Sequence, residues 1–279
     1  MANVTRQDVE KAVLQLGIRK GDIVMVHSSF KSMGTVEGGA ESVIGGFLDA
    51  VGTEGTLVLP AFTMKDFGNA YRDWHMNKPS DAGYLTEYFR TREGTCRSDQ
   101  ATHSVCAFGK MAEELTKTHG HTHKRFGNAG ETPFSADSPF QKMYDNNARI
   151  VMLGVSTLYI TFRHFAEYCY MEKELDSIKA HPDFQMMKDQ LWAFGKKGVW
   201  PHLHNLVLTG LLNEKGLVYR SKCGNATFTS VPVREFVDLA MQRLQDYDPI
   251  VLRRCDSVWD TDAWIKWTER VREMREELK

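Results

Sequence analysis

A histidine with a glutamate three residues on stands at Arg163-His164-Phe165-Ala166-Glu167, where a polar loop after an apolar run gives way to a helix. Residues i and i+3 share one helix face, so the carboxylate can orient the imidazole and stabilise its charged form. Such a pair suits a general base working near neutral pH. It suits an ordinary structural pair equally well, and spacing alone does not separate the two. His27 ends a second apolar run, Ile23-Val24-Met25-Val26, just before Ser28 and Ser29. The carboxyl ends of strands are where α/β enzymes gather functional groups. A histidine satisfied by local backbone is the other reading there.

Three further clusters invite chemistry. His103-Ser104 offers a serine and a histidine, but neighbours on a strand point to opposite faces, and no GxSxG elbow supports a serine hydrolase. His119-Gly120-His121-Thr122-His123 has the look of a metal cluster. No carboxylate or cysteine completes it locally, so it reads as a solvated loop, and His202-Leu203-His204 is read with the same caution. GxGxxG and GxxxxGK[ST] are absent, so a Rossmann site or P-loop lacks its signature. The loop from Gly34 to Gly39 precedes a helix and can receive a phosphate at that helix N-terminus, or serve only as a connection.

The elements that must position these groups follow from periodicity. Thr5 to Leu16 is a helix capped by Thr5 and stopped by Gly17. Ile23–Val26 reads as a buried strand, Ala40–Val51 as a helix despite Gly45 and Gly46, and Thr56–Leu59 as a strand stopped by Pro60. Strand, helix, strand with short turns predicts a parallel sheet with ligands at its carboxyl ends. Thr102–Phe108 and Arg149–Val155 are further strands; Tyr84–Thr91, Met111–Lys117 and Phe140–Tyr144 are helical. Thr161 or Thr157 caps a helix running through Glu174. Pro232 opens an amphipathic helix, Val233–Gln245, and a charged amphipathic helix ends the chain.

With 279 residues, 42% hydrophobic, the chain is long enough for a sizeable core. A net charge of −1 argues for a small-molecule partner, with neither nucleic acid nor membrane. No apolar run approaches the ~20 residues of a membrane span. The N-terminus lacks a signal peptide's apolar region, so a cytoplasmic protein is expected. Five scattered cysteines without a CxxC predict neither a disulfide framework nor a thiolate zinc site.

In order along the chain stand Gly21-Asp22-Ile23-Val24-Met25-Val26-His27-Ser28-Ser29-Phe30, Gly52 to Phe62, Ala101-Thr102-His103-Ser104-Val105, Asp137-Ser138-Pro139-Phe140, Ile150 to Val155 and Thr161-Phe162-Arg163-His164-Phe165-Ala166-Glu167, with a weaker echo at Cys223-Gly224-Asn225-Ala226. Together these segments resemble the aminoglycoside 3-N-acetyltransferase family, the antibiotic acetyltransferases outside the GNAT fold. The resemblance implies an α/β fold: a three-layer α/β/α sandwich around a mixed, mostly parallel sheet, with a smaller helical lobe. One domain over 1–279 is expected, with a cap or inserted lobe at about 179–217.

The resemblance further implies acetyl-CoA as co-substrate and direct transfer to a primary amine, with no metal. It places the catalytic base at His164, with Glu167 and His27 beside it. It places Ser28, Ser29, Phe30, Lys31, Gly34, Thr35, His103 and Ser104 on the coenzyme side; Thr63, Asp66 and Glu172 are candidate contacts for the acceptor, read from their residue types and not carried over from the family. Backbone N–H groups near Ser28-Ser29, or His27 itself, would face the developing oxyanion. One departure concerns the acceptor. The later insertion reads Phe194-Gly195-Lys196-Lys197-Gly198-Val199-Trp200-Pro201-His202-Leu203-His204, basic and aromatic where an aminoglycoside site usually offers acid. Acceptors other than an antibiotic (an amino sugar or a biosynthetic intermediate) therefore stay open, as does a His/Ser- or metal-dependent hydrolase. Monomer and homodimer are not distinguished.

Overall fold

Seven strands stand among the described residues, the central ones β-branched and apolar: β1 (Ile23–Ser28), β2 (Thr56–Pro60), β3 (Cys96–Arg97), β4 (Val105–Gly109), β5 (Arg149–Leu153), β6 (Tyr219–Cys223) and β7 (Ala226–Pro232). The computed structural model describes residues 3–63, 65, 70–119, 133–191, 198–252 and 261–279. The strands make one sheet in the order β3-β4-β2-β1-β5-β7-β6. β1 runs parallel to β2 and β5 at the centre. The four outer pairings are antiparallel, so five of the seven strands point the same way. The sheet is mixed, with a parallel middle.

Side chains alternate across this sheet, as the strand period requires. Val24, Val26, Leu57 and Leu59 fill one face against α1 (Arg6–Leu14), α2 (Gly39–Val51) and α3 (Tyr84–Thr91). Met25, Val58, Ile150 and Met152 fill the other. There they meet α4 (Ala112–Thr116), α5 (Pro139–Asp145), α6 (Phe162–Ser177), α7 (Phe184–Asp189), α8 (Asn205–Glu214), α9 (Val233–Gln245) and α10 (Thr261–Glu277). This is a three-layer α/β/α arrangement. His27, two residues beyond Met25, lies on the α6 side.

Local chemistry explains the elements and some departures. Thr5 and Asp8 form a reciprocal capping box at α1. Gly46 is required inside α2: a Cβ there would lie 2.8 Å from the Arg6 carbonyl oxygen and 2.6 Å from Val9 Cβ, so glycine lets α1 and α2 touch. Thr161 precedes α6, yet its side chain makes no capping bond. The strand expected over Thr102–Phe108 begins only at Val105; residues 101–103 form a turn. β6 and β7 escaped the periodicity reading, because β6 (Tyr-Arg-Ser-Lys-Cys) is an edge strand with exposed polar residues.

Residues 198–217 pack into the main core. Trp200, Leu203, Leu208 and Leu212 join the same buried cluster as the α6 face of the sheet. The C-terminal helix also lies on its own chain: Trp264, Trp267, Val271 and Met274 are buried, and Trp267 Nε1–H donates to the Met187 carbonyl at 3.0 Å. No helix among the described residues is long and apolar enough to cross a membrane.

Candidate active site

Helix α6 is amphipathic enough to bury Phe162, Phe165, Ala166, Met171 and Leu175 while presenting His164 near the protein surface. His164 Nδ1 lies 2.8 Å from Glu167 Oε2, with the imidazole 31% exposed and the carboxylate fully buried. Burial pushes the Glu167 carboxyl up. The charge and hydrogen bond of His164, with smaller pulls from Arg163 and His202, outweigh it and bring the carboxyl down to about 2. Two more donors hold it. Trp200 Nε1–H donates to Oε2 and the Leu203 backbone N–H to Oε1, each at 3.0 Å. A buried carboxylate is tolerable only with such a complement of donors.

This arrangement fixes the tautomer. Glu167 is ionised and can only accept, so the neutral ring carries its proton on Nδ1. Nε2 is then the acceptor, and Arg163 Nε–H donates to it at 3.3 Å. The resulting His164 has a lone pair turned away from its carboxylate, as a general base needs.

Aromatic rings wall the dyad. Phe134 sits 6.1 Å from the His164 ring, 5.0 Å from His103 and 5.1 Å from Tyr168, and Tyr168 lies 5.0 Å from Trp200. His103 comes within 6.5 Å of His164, centroid to centroid. Gln100 anchors the turn that carries His103: its Oε1 accepts from the backbone N–H groups of Thr102 at 2.8 Å and His103 at 2.6 Å. Burial, with the charges of His164 and His119, holds His103 well below the ordinary histidine range. His27 is also buried, which pushes it down to about 4, and its Nε2 has no hydrogen-bond partner among the described residues.

The turn after β1 is locked in place. Ser29 N–H donates to the Leu153 carbonyl at 2.8 Å, so that amide is taken and does not face an oxyanion. Ser32 packs against Gly154, where a Cβ would fall 1.7 Å from Ser32 Oγ. Gly154 also has φ +63°, a second reason for glycine there. Asn225 N–H donates to the Met33 carbonyl at 3.1 Å, which brings the Cys223–Ala226 segment to the same turn. Lys31, Gly34 and Thr35 are exposed, Ser28 and Ser29 half-buried. Phe30 lies 5.3 Å from the exposed Tyr84 ring.

Other expected site residues fall elsewhere. Ser104 is buried, donates to the Ala61 carbonyl at 2.7 Å and accepts from Arg97 Nε–H at 3.2 Å; it is committed to the ends of β2 and β4. Neither it nor His103 lies within a strand, so the opposed-faces argument had the wrong premise. Thr63 is buried with its hydroxyl donated to the Ala101 carbonyl. Glu172 lies two helical turns beyond His164, ~12 Å along the axis. Asp66, His121, His123 and Phe194 to Lys197 lie outside the described residues. His119 is buried rather than solvated: Ser98 Oγ at 2.7 Å and the Pro133 carbonyl at 2.9 Å occupy both ring nitrogens. Among the described residues no three His, Cys, Asp or Glu side chains gather as metal ligands.

Sequence reading missed Trp200 and Leu203 as partners of Glu167, Phe134 as a wall, and Gln100 as an anchor. Only Trp200 left a signal: an aromatic with one N–H, in a stretch already marked as unusual.

Residues 25–245 match the family model described as aminoglycoside 3-N-acetyltransferase. The SPbeta prophage-derived aminoglycoside N(3')-acetyltransferase-like protein YokD of Bacillus subtilis (strain 168) is 31% identical over 185 residues, 59% of this chain and 65% of its own. Aminoglycoside N(3)-acetyltransferase III of Salmonella sp is 31% identical over 182 residues, 58% of this chain and 60% of its own. The matches thus span less than two thirds of those relatives' lengths. Aminoglycoside acetyltransferase AAC(3)-IVa superposes with a TM-score of 0.71 at 20% identity, covering 96% of this chain and 99% of that one. A binary complex of AAC-IIIb with CoASH gives 0.67 at 19%, covering 88% and 98%. At such identity these two likenesses speak for the fold.

Proposed function

This chain belongs to the aminoglycoside 3-N-acetyltransferase family, and from that premise we propose that it transfers an acetyl group from acetyl-CoA to a primary amine of an aminoglycoside or similar amino compound. The observation that carries this reading is the dyad. Glu167, buried and held by three donors, keeps His164 protonated on Nδ1 and leaves Nε2 to take a proton. An acceptor ammonium is no nucleophile until it loses a proton. His164 accepts that proton at Nε2, and Glu167 stabilises the imidazolium.

Acetyl-CoA supplies the activated acetyl group. The turn after β1 fits its chemistry: Lys31 is an exposed cation for phosphate, Ser28, Ser29 and Thr35 are polar, and Phe30 with Tyr84 offers an aromatic surface. The CoASH complex of AAC-IIIb supports the same ligand. His27, neutral and with Nε2 unpartnered, serves as a polar group on the α6 side of the sheet, where it can donate to the thioester oxygen. A role in antibiotic resistance follows only if the acceptor is an aminoglycoside.

The test is thiol release from acetyl-CoA across aminoglycosides, amino sugars and arylamines. The wild-type protein should release thiol with at least one class. His164→Ala should lose about 10²- to 10⁴-fold in turnover while calorimetry finds acetyl-CoA binding retained. Unchanged turnover in the purified variant removes His164 from the role.

A further inference from the structure

Glu167 holds one side of His164, and a cation holds the other. Arg163 Nε–H donates to His164 Nε2 at 3.3 Å. Its Nη1 is shielded from solvent and has no hydrogen-bond partner among the described residues. A guanidinium keeps its charge at any ordinary pH and has no acceptor of its own. A shielded N–H of a charged group without a partner is costly, and such an atom is where a ligand is expected. Glu167 attracts Arg163 through space, but its oxygens already accept from His164, Trp200 and Leu203. It therefore balances part of the charge without satisfying Nη1.

Two unmet needs coincide at this point. His164 Nε2 must be free to take the acceptor's proton, yet Arg163 donates to it. Arg163 Nη1 needs an oxygen, and the described protein supplies none. An anionic group on the acceptor meets both. It draws the guanidinium into a charge-assisted, bidentate pair and so uncovers Nε2. The amine and the anion must then lie within a few bonds of each other, because they engage adjacent residues whose nitrogens are 3.3 Å apart.

Resting on the acetyl-transfer reading above, we infer that Arg163 is the recognition group for a carboxylate or phosphate that the acceptor carries beside its reacting amine. The favoured acceptor is then an amino acid or an acidic amino sugar, in contrast to a polycation.

Matched amines test this: β-alanine against its amide, O-phosphoethanolamine against ethanolamine, and gentamicin as the polycation. In the wild-type protein the anionic member of at least one pair should have a kcat/KM about tenfold or more above its neutral twin. The pair that responds tells carboxylate from phosphate. Arg163→Met should abolish the preference and Arg163→Lys keep part of it. Calorimetry without acetyl-CoA should find the preferred anion binding more tightly to wild type than to Arg163→Met. Equal kcat/KM within both pairs, or a preference that survives in Arg163→Met, overturns the inference while leaving acetyl transfer intact. No thiol release with any amine overturns the transfer reading, and the calorimetric comparison then decides Arg163 by itself.

Discussion

Two histidines of this molecule begin from similar sequence contexts and end in opposite physical states. His27 ends one apolar run and His164 opens the helix after another, and each stands beside polar residues. The α6 histidine is a third exposed and has a buried carboxylate at 2.8 Å; the β1 histidine is buried and its Nε2 has no hydrogen-bond partner among the described residues. The first can gain a proton and have the charge stabilised. The second is kept neutral by burial, at about 4. A place at a strand's end or at the start of the helix that follows therefore says only that a group is near a site. Its partners decide what it does there.

The comparison breaks first at Glu167. Glu167→Gln places an amide where Trp200 and Leu203 present N–H groups, and at best one oxygen remains to accept. Thiol-release turnover should fall about 100-fold or more, with stability down by ~1–3 kcal/mol in urea titration. Turnover within a few-fold of wild type would leave His164 no different in kind from His27.

Acid sharpens the contrast. His27 and His119 are both held down to about 4 by burial, while unfolded histidine titrates near 6.5. The unfolded chain binds more protons in that window, so stability should fall as pH drops from about 6.5 to 4. Each histidine accounts for a loss on the order of 3 kcal/mol. Glu167 acts later: its contribution is present above about 4.5 and is lost as pH falls toward 2. His27→Leu should remove His27's share of the loss in the upper window in urea melts at stepped pH, with that of His119 remaining, and leave the lower one alone. An unchanged upper window would mean that His27 is not buried neutral.

Smaller effects follow. Trp200→Phe keeps the ring but loses the N–H donated to Glu167, and should cost ~1–2 kcal/mol and several-fold in turnover. Ser104→Ala should cost ~1 kcal/mol by removing its bond to Ala61, with the acetyl-CoA KM unchanged. A raised KM would return Ser104 to the coenzyme side.

The central elements and the dyad were legible because they depend on local pattern. The Ile23–Val26 and Ile150–Leu153 runs read as strands, and His164 and Glu167 meet through helical spacing. What escaped depends on contacts between distant segments. Leu203 binds Glu167 through a backbone amide, which no side-chain motif can announce. Phe134 reads as loop composition until α5 and α6 bring it against His103 and His164. β6 hides because an edge strand needs apolar residues on only one side.

The grip of Trp200 and Leu203 on Glu167 also orders events in time. Glu167 leaves the ribosome more than thirty residues before the donors that make its buried carboxylate tolerable. The segment carrying those donors is itself tied down later still, where His204 N–H donates to the Val251 carbonyl at 2.7 Å. A chain released early would therefore hold the whole dyad in its sequence and still lack a settled charge at Glu167. A fully supported dyad is thus a late product of synthesis, and thiol release by fragments of increasing length would report when the C-terminal third has docked.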